Sequence, residues 1–124
     1  MSRFTLIVAL VGIALSGCKK DTGPVLEIPC SQNVASLRYG AGATFVANCP
    51  EGCAESAKVW GDGLYTKDSP ICKAAIHAGV IGKSGGKIKV TVQPGQDAYK
   101  GSTKNGITTE KYGSFGGSYT IDDP

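Results

Sequence analysis

Two residue types in this chain have the chemistry for a functional site: one histidine and five cysteines. His77 lies four residues after Lys73. An imidazole titrates near neutral pH, so it can serve as a general base or a metal ligand. Its sequence surroundings support neither use. A metal would need a second histidine or a nearby cysteine pair, and none accompanies His77. A serine nucleophile at a strand-to-helix turn would read Gly-x-Ser-x-Gly, and the chain has no such setting around His77. Asp68 lies more than two helical turns upstream. Glu51 and Glu55 flank a cysteine loop and Asp122-Asp123 lies in the terminal tail, so neither pair suggests acid–base work. A histidine near a helix C-terminus, hydrogen-bonded to backbone and favoured by the dipole when charged, needs no catalytic role. We therefore expect His77 to be structural and the chain to be no enzyme. A small hydrolase using His77 is the alternative.

The cysteines divide into one and four. Arg3 is the only charge ahead of an apolar run from Leu6 to Leu15. That run is too short to span a bilayer. A basic start, a short apolar stretch and then small residues make an export signal. The run closes in Leu15-Ser16-Gly17-Cys18, which resembles the lipobox of bacterial lipoproteins. The resemblance implies a signal peptide over 1–17, cleavage before Cys18 and acylation (palmitate) of that cysteine. Residues 18–29 then form a lipidated tether, with Gly23 and Pro24 and no periodic pattern. Lys19, rather than Asp, follows the cysteine, which favours the outer membrane by the enteric rule. Cys30, Cys49, Cys53 and Cys72 remain. An even number in a small exported domain implies two disulfides, with three pairings open. A four-cysteine zinc site fits poorly, because only Cys49 and Cys53 are close in sequence. No metal or other cofactor is expected.

These residues must be positioned by few elements. Glycine supplies 18 of 124 residues, which predicts many turns and a small core in need of disulfides. The central element is a short helix within Asp68–Ile81. Ser69 or Asp68 can cap its N-terminus, Pro70 suits the first helical position, and Gly79 can end it in a left-handed conformation. Ile71, Ala74, Ala75 and Ala78 share one side, flanked by Cys72 and Ile76; Lys73 and His77 fall on the rest. Such a helix is normally buried and too short to persist alone, so other elements must wrap it. Residues 43–48 read as a strand, and Val59-Trp60 with Leu64-Tyr65 as a hairpin. Residues 87–92 alternate cleanly, with Ile88, Val90 and Val92 facing a core. Gln93-Pro94-Gly95-Gln96 reads as a turn, Asn105-Gly106 as a second, and 117–121 as a closing strand.

The chain carries a formal charge of +3, too little to imply nucleic acid. The charge is uneven. Residues 73–111 hold seven lysines against Asp97 and Glu110. Lys83, Lys87, Lys89, Lys100, Lys104 and Lys111 form a candidate patch for an anionic ligand. The plainer account is that they are solvent-facing sides of strands and loops.

A long run of motifs resembles one family. Cys49-Pro-x-x-Cys53 is followed by Val59-Trp60-Gly61, Tyr65, and Asp68-Ser69-x-Ile71-Cys72-Lys73-Ala74-Ala75-Ile76-His77-Ala78-Gly79-Val80-Ile81. Then come Gly85-Gly86, Pro94-Gly95-Gln96, Tyr99-x-Gly101-Ser102, Asn105-Gly106-Ile107 and Gly113 to Ser118-Tyr119. Together they resemble the LCCL domain over about residues 30–121, leaving 122–124 as a tail. Thr109, Phe115 and Tyr119 are mild departures. The resemblance implies an α+β fold, a single central helix wrapped by two irregular antiparallel β-sheets and stapled by two disulfides. It implies the pairing Cys30–Cys49 and Cys53–Cys72. It places Ser69, Pro70, Ile71, Ala75, His77 and Gly79 in the structural helix. It also implies a non-enzymatic binding or adhesion module, since some members are linked to host defence and to microbial surface components. The expected partners are the membrane, through the lipid anchor, and an anionic polysaccharide, lipopolysaccharide or envelope protein. A purely structural envelope protein is a further alternative.

Overall fold

A computed structural model describes residues 24–124, so Cys18 and the expected signal segment lie outside it. The alternating stretch forms the longest strand, β5 (Gly86–Gln96). Ile88, Val90 and Val92 are buried on one face, while Lys87 and Lys89 project from the other. Strands β1 (Val25–Glu27), β2 (Thr44–Cys49), β3 (Gly61–Asp62), β4 (Leu64–Thr66) and β8 (Phe115–Asp122) join it. They make a six-stranded sheet in the order β1-β2-β5-β8-β4-β3. A second sheet has two strands, β6 (Thr103–Lys104) and β7 (Ile107–Thr108), turned at Asn105-Gly106. Both turn residues have positive φ, as a tight hairpin turn requires.

One helix, α1 (Ile71–His77), lies at the centre, and six of its residues are buried. The α+β class, the central helix and two stapling disulfides are as expected. Several details differ. The larger sheet is not wholly antiparallel, because β1 pairs parallel to β2. Val25–Glu27, read as tether, is thus an edge strand of the domain. Three residues are too few to show a sequence pattern, and pairing alone makes them a strand. The predicted turn at Gln93–Gln96 continues β5 instead, with Pro94 opposite Gly117 and Gln96 opposite Phe115. Gly95 permits this: a side chain there would collide with the backbone of Phe115 and Gly116.

The helix begins one residue later than predicted. Pro70 is the N-cap, with extended ψ of 125°, and no side chain caps the terminus. The Gln32 carbonyl instead accepts the Ile71 N–H at 2.8 Å. Ser69 has another task. Its Oγ accepts from the Trp60 N–H at 2.9 Å and shares a bond of 2.7 Å with Thr66 Oγ1. At the other end the reading holds. Gly79 has φ of 82°. Its N–H bonds the Ile76 carbonyl and the Val80 N–H reaches back to Ala75, a Schellman closure.

The disulfide pairing is Cys30–Cys53 and Cys49–Cys72, correcting the pairing implied by resemblance. Sequence could not decide this, because the pairing depends on how the end of β2, the turn at Cys53 and the first turn of α1 meet in space. Cys49 ends β2 on its inner face, and Cys72 faces it from the first turn of α1. Each bridge joins residues 23 apart, and closing such a loop contributes on the order of 3 kcal/mol.

Candidate functional site

His77 ends α1 with no exposed surface. It bonds neighbours on both sides: Nδ1 is 2.9 Å from the Tyr65 hydroxyl of β4, and Nε2 is 2.9 Å from Ser102 Oγ. These are side-chain partners, not the backbone partners expected. Ser102 precedes β6, so the ring joins helix, large sheet and small sheet. Asn105 adds a second tie, donating from Nδ2 to the His77 carbonyl at 2.8 Å. Lys73 anchors the opposite flank, its Nζ 2.9 Å from the Ser56 carbonyl.

A Ser–His pair at hydrogen-bond distance has the outline of a nucleophile and its base. The electrostatics point elsewhere. Burial lowers the His77 pKa, with the nearby Asp62 charge only partly offsetting it. The third member is a phenol, not a carboxylate, and burial raises the Tyr65 pKa to about 12. A neutral phenol cannot balance the imidazolium that general-base catalysis would form. Ser102 is itself pinned, its N–H donating to Thr109 Oγ1 at 3.0 Å. The row Tyr65–His77–Ser102 is therefore a polar brace, buried at Tyr65 and His77 and half-buried at Ser102, with a partner for each member. Tyr119 supports it from beneath: it packs on Tyr65 and donates its hydroxyl to the Ser69 carbonyl at 2.8 Å.

The four cysteines are consumed by disulfides, which leaves no thiolate for a metal. The predicted lysines are all exposed, but they do not form one patch. Lys87 and Lys89 stand on the outer face of the large sheet, opposite Asn48 and Val46 of β2. Lys83 precedes them, its carbonyl accepting the Gly52 N–H. Lys100, Lys104 and Lys111 belong to the hairpin on the helix side, where β7 packs against α1. Lys104 bonds Asp62 at 2.8 Å and lowers its pKa, with a smaller contribution from Ser102. That is the only ion pair among the described residues. A cleft of about 310 Å³ opens by Leu26, Tyr39, Phe45 and Lys89, away from His77.

Sequence reasoning did not find the partners of His77, which come from distant segments. It also passed over an aromatic group at the surface. Tyr112 packs edge-on against Trp60 at 6.0 Å and against Phe115 at 5.8 Å between ring centres.

Comparison with known proteins identifies the fold. The profile of the LCCL domain matches residues 28–119. Vitrin of Mus musculus is 41% identical over 92 residues, covering 72% of this chain and 14% of vitrin. Clotting factor C of Tachypleus tridentatus is 34% identical over 97 residues, covering 77% of this chain and 10% of the relative. Cochlin of Bos taurus is 39% identical over 74 residues, 59% of this chain and 14% of cochlin. The chain thus corresponds to a small part of much longer proteins. With a profile match that begins just after β1 and ends within β8, the chain belongs to the LCCL domain family.

Proposed function

We propose that this chain is a non-enzymatic binding module for anionic envelope glycans, either an acidic polysaccharide or the sugar–phosphate region of lipopolysaccharide. A lipid on Cys18 holds it at the outer membrane of a bacterial envelope. The observation that carries the reading is a set of exposed lysines with no ion-pair partner among the described residues: Lys83, Lys87, Lys89, Lys100 and Lys111. Unpaired surface ammonium groups raise the local concentration of a polyanion and hold it without deep pockets. The sealed state of His77 supports a non-catalytic role. The anchor rests on the sequence of residues 1–18; among the described residues no helix is long and apolar enough to cross a membrane.

Co-sedimentation of the protein with lipopolysaccharide and with an acidic polysaccharide, at low and high salt, tests the binding. Binding at low salt that weakens as salt rises is the expected result, because salt screens exposed charges. No binding at low salt would end the reading. The anchor is tested by labelled palmitate: incorporation into the wild type and none into Cys18→Ala. Equal labelling of the two would exclude Cys18 as the attachment point.

A further inference from the structure

The cleft of about 310 Å³ beside β1 and β2 has the makeup of a small-ligand site. Leu26, Tyr39, Phe45 and Val46 line it together with Pro24 and Pro124. A mostly apolar and aromatic lining with one or two polar groups is the usual composition of such sites. Tyr39 and Phe45 stack with ring centres 4.9 Å apart and planes 24° apart. Lys67 fixes this wall, donating from Nζ to the Tyr39 carbonyl at 3.0 Å. The one charged residue in the lining is Lys89.

Lys89 also belongs to a cross-strand row on the outer face of the large sheet. The register sets Val25 beside Val46, Val46 beside Lys89, and Lys89 beside Asp122. Residues directly opposite share a face, so the row reads apolar, apolar, cation, anion. Val25 is 39% exposed, and Lys89 and Asp122 are both exposed. Neither charge has an ion-pair partner among the described residues, and the two do not pair with each other. The next row, Glu27–Asn48–Lys87, differs: its acid accepts a bond from Asn48 Nδ2, and none of the three lines the cleft.

A phospholipid with an amine in its headgroup carries the same order along one molecule: acyl chain, phosphate, ammonium. Its two charges are separated by two carbons, close to the spacing of about 4.8 Å between neighbouring strands. Pro24, in the cleft lining, follows Cys18 by six residues, a reach of about 20 Å at full extension. We infer that the cleft holds one acyl chain of a zwitterionic phospholipid, with its phosphate on Lys89 and its ammonium on Asp122. The inference takes the nearness of a membrane from the anchor reading above; the cleft and the charge order stand apart from it. Of the lysines assigned to the glycan, only Lys89 is shared.

Calorimetric titration of the full chain with dodecanoyl lysophosphatidylethanolamine, kept below its micelle concentration, tests this. Lysophosphatidylglycerol of the same chain length has the phosphate and no amine. The wild type is expected to bind it about fivefold more weakly. Glycerophosphoethanolamine, which has no acyl chain, should show no measurable binding, because chain burial drives the association. Lys89→Gln should weaken binding of the zwitterion about fivefold, and Asp122→Asn should remove the preference for it over lysophosphatidylglycerol. Val46→Glu, which puts a charge on the cleft wall, should weaken both lipids at least about tenfold. Lys58→Gln, exposed and outside the lining, should change binding by less than about twofold. Lys89 and Asp122 are exposed, and unchanged melting temperatures show that their variants keep the fold. The site is overturned if the wild type binds neither lipid, or both equally well. It is overturned equally if Asp122→Asn keeps the full preference, or if Lys89→Gln binds the zwitterion as tightly as the wild type. These results leave the polysaccharide and palmitate tests untouched. Failure of those tests, with the lysolipid preference intact, would overturn the glycan or anchor reading and leave the cleft site standing.

Discussion

The two faces of the large sheet have opposite characters. On the inner face, Ile88, Val90, Val92, Tyr119 and Ile121 share one core cluster with the buried residues of α1, and the buried polar side chains Thr66, Ser69, His77, Thr109 and Ser118 each have a hydrogen-bond partner. On the outer face, Lys87, Asn48 and Glu27 form one cross-strand row, and Lys89, Val46 and Val25 the next. The first is organised by burial and covalent bridges. The second is organised by strand pairing, with an exposed side-chain bond from Asn48 Nδ2 to Glu27 Oε1 at 3.0 Å. The contrast teaches where stability and recognition reside in a domain this small. Everything near the helix is committed to holding the fold, including the one histidine. The residues free to meet a ligand are on the outer face and the hairpin rim.

The contrast can be broken most forcefully at the bridges. Replacing Cys49 and Cys72 together by Ala should cost on the order of 3 kcal/mol and lower the melting temperature by many degrees. A melting temperature equal to the wild type's would show that α1 is not held covalently. Next comes a matched pair on one strand. Val90→Ala, on the inner face, should cost about 2 kcal/mol, and Thr91→Ala, its neighbour on the outer face, less than about 0.5. Equal losses in denaturant melts would erase the distinction between the faces.

His77→Phe keeps a ring but strips Tyr65 and Ser102 of their partner, at a cost of about 2 kcal/mol. Its clearer signature is in pH. Burial holds the folded-state pKa of His77 below the ordinary 6.5. On acidification through the window below that value, the unfolded chain takes up this proton before the folded one does. Stability from His77 is therefore full above the unfolded pKa and is lost as pH falls towards the folded one. Thermal melts across this range should show the loss in the wild type and a flatter profile in His77→Phe. Parallel profiles would mean that the ring is not held neutral. The smallest effect is expected at the surface: Lys104→Ala removes the exposed bond to Asp62 and should cost less than about 0.5 kcal/mol. A loss of 2 kcal/mol there would place the hairpin among the elements that hold the fold.

Much of this fold was legible in the residues. The alternation of 87–92 gave a strand because each inward position is buried. Gly79 and Asn105-Gly106 marked their turns because positive φ selects those residue types. The misses share a cause. Ser69 looked like a cap because capping is a local reading; its hydroxyl instead serves Trp60 and Thr66 across the hairpin. Pro94-Gly95 looked like a turn because its fit against Gly116 and Gly117 depends on a strand some twenty residues away. The partners of His77 lie 12 and 25 residues from it and carry no spacing signal. The motif resemblance did contain Tyr65 and Ser102, but it gave no reason for them. The lysines were found as a run and appear in space as two groups, because β5 and the hairpin send them to different sides.

The order of the bridges has a further consequence. Cys30 joins Cys53, and Cys49 joins Cys72, so the two closed loops overlap in sequence. Any single peptide bond cut between Cys30 and Cys72 therefore leaves both fragments covalently joined. Pro50, Glu51 and Gly52, all exposed, are spanned by both bridges at once. Side-by-side bridges would let one cut in that loop divide the chain. Interleaved bridges thus convert a scission into a nick.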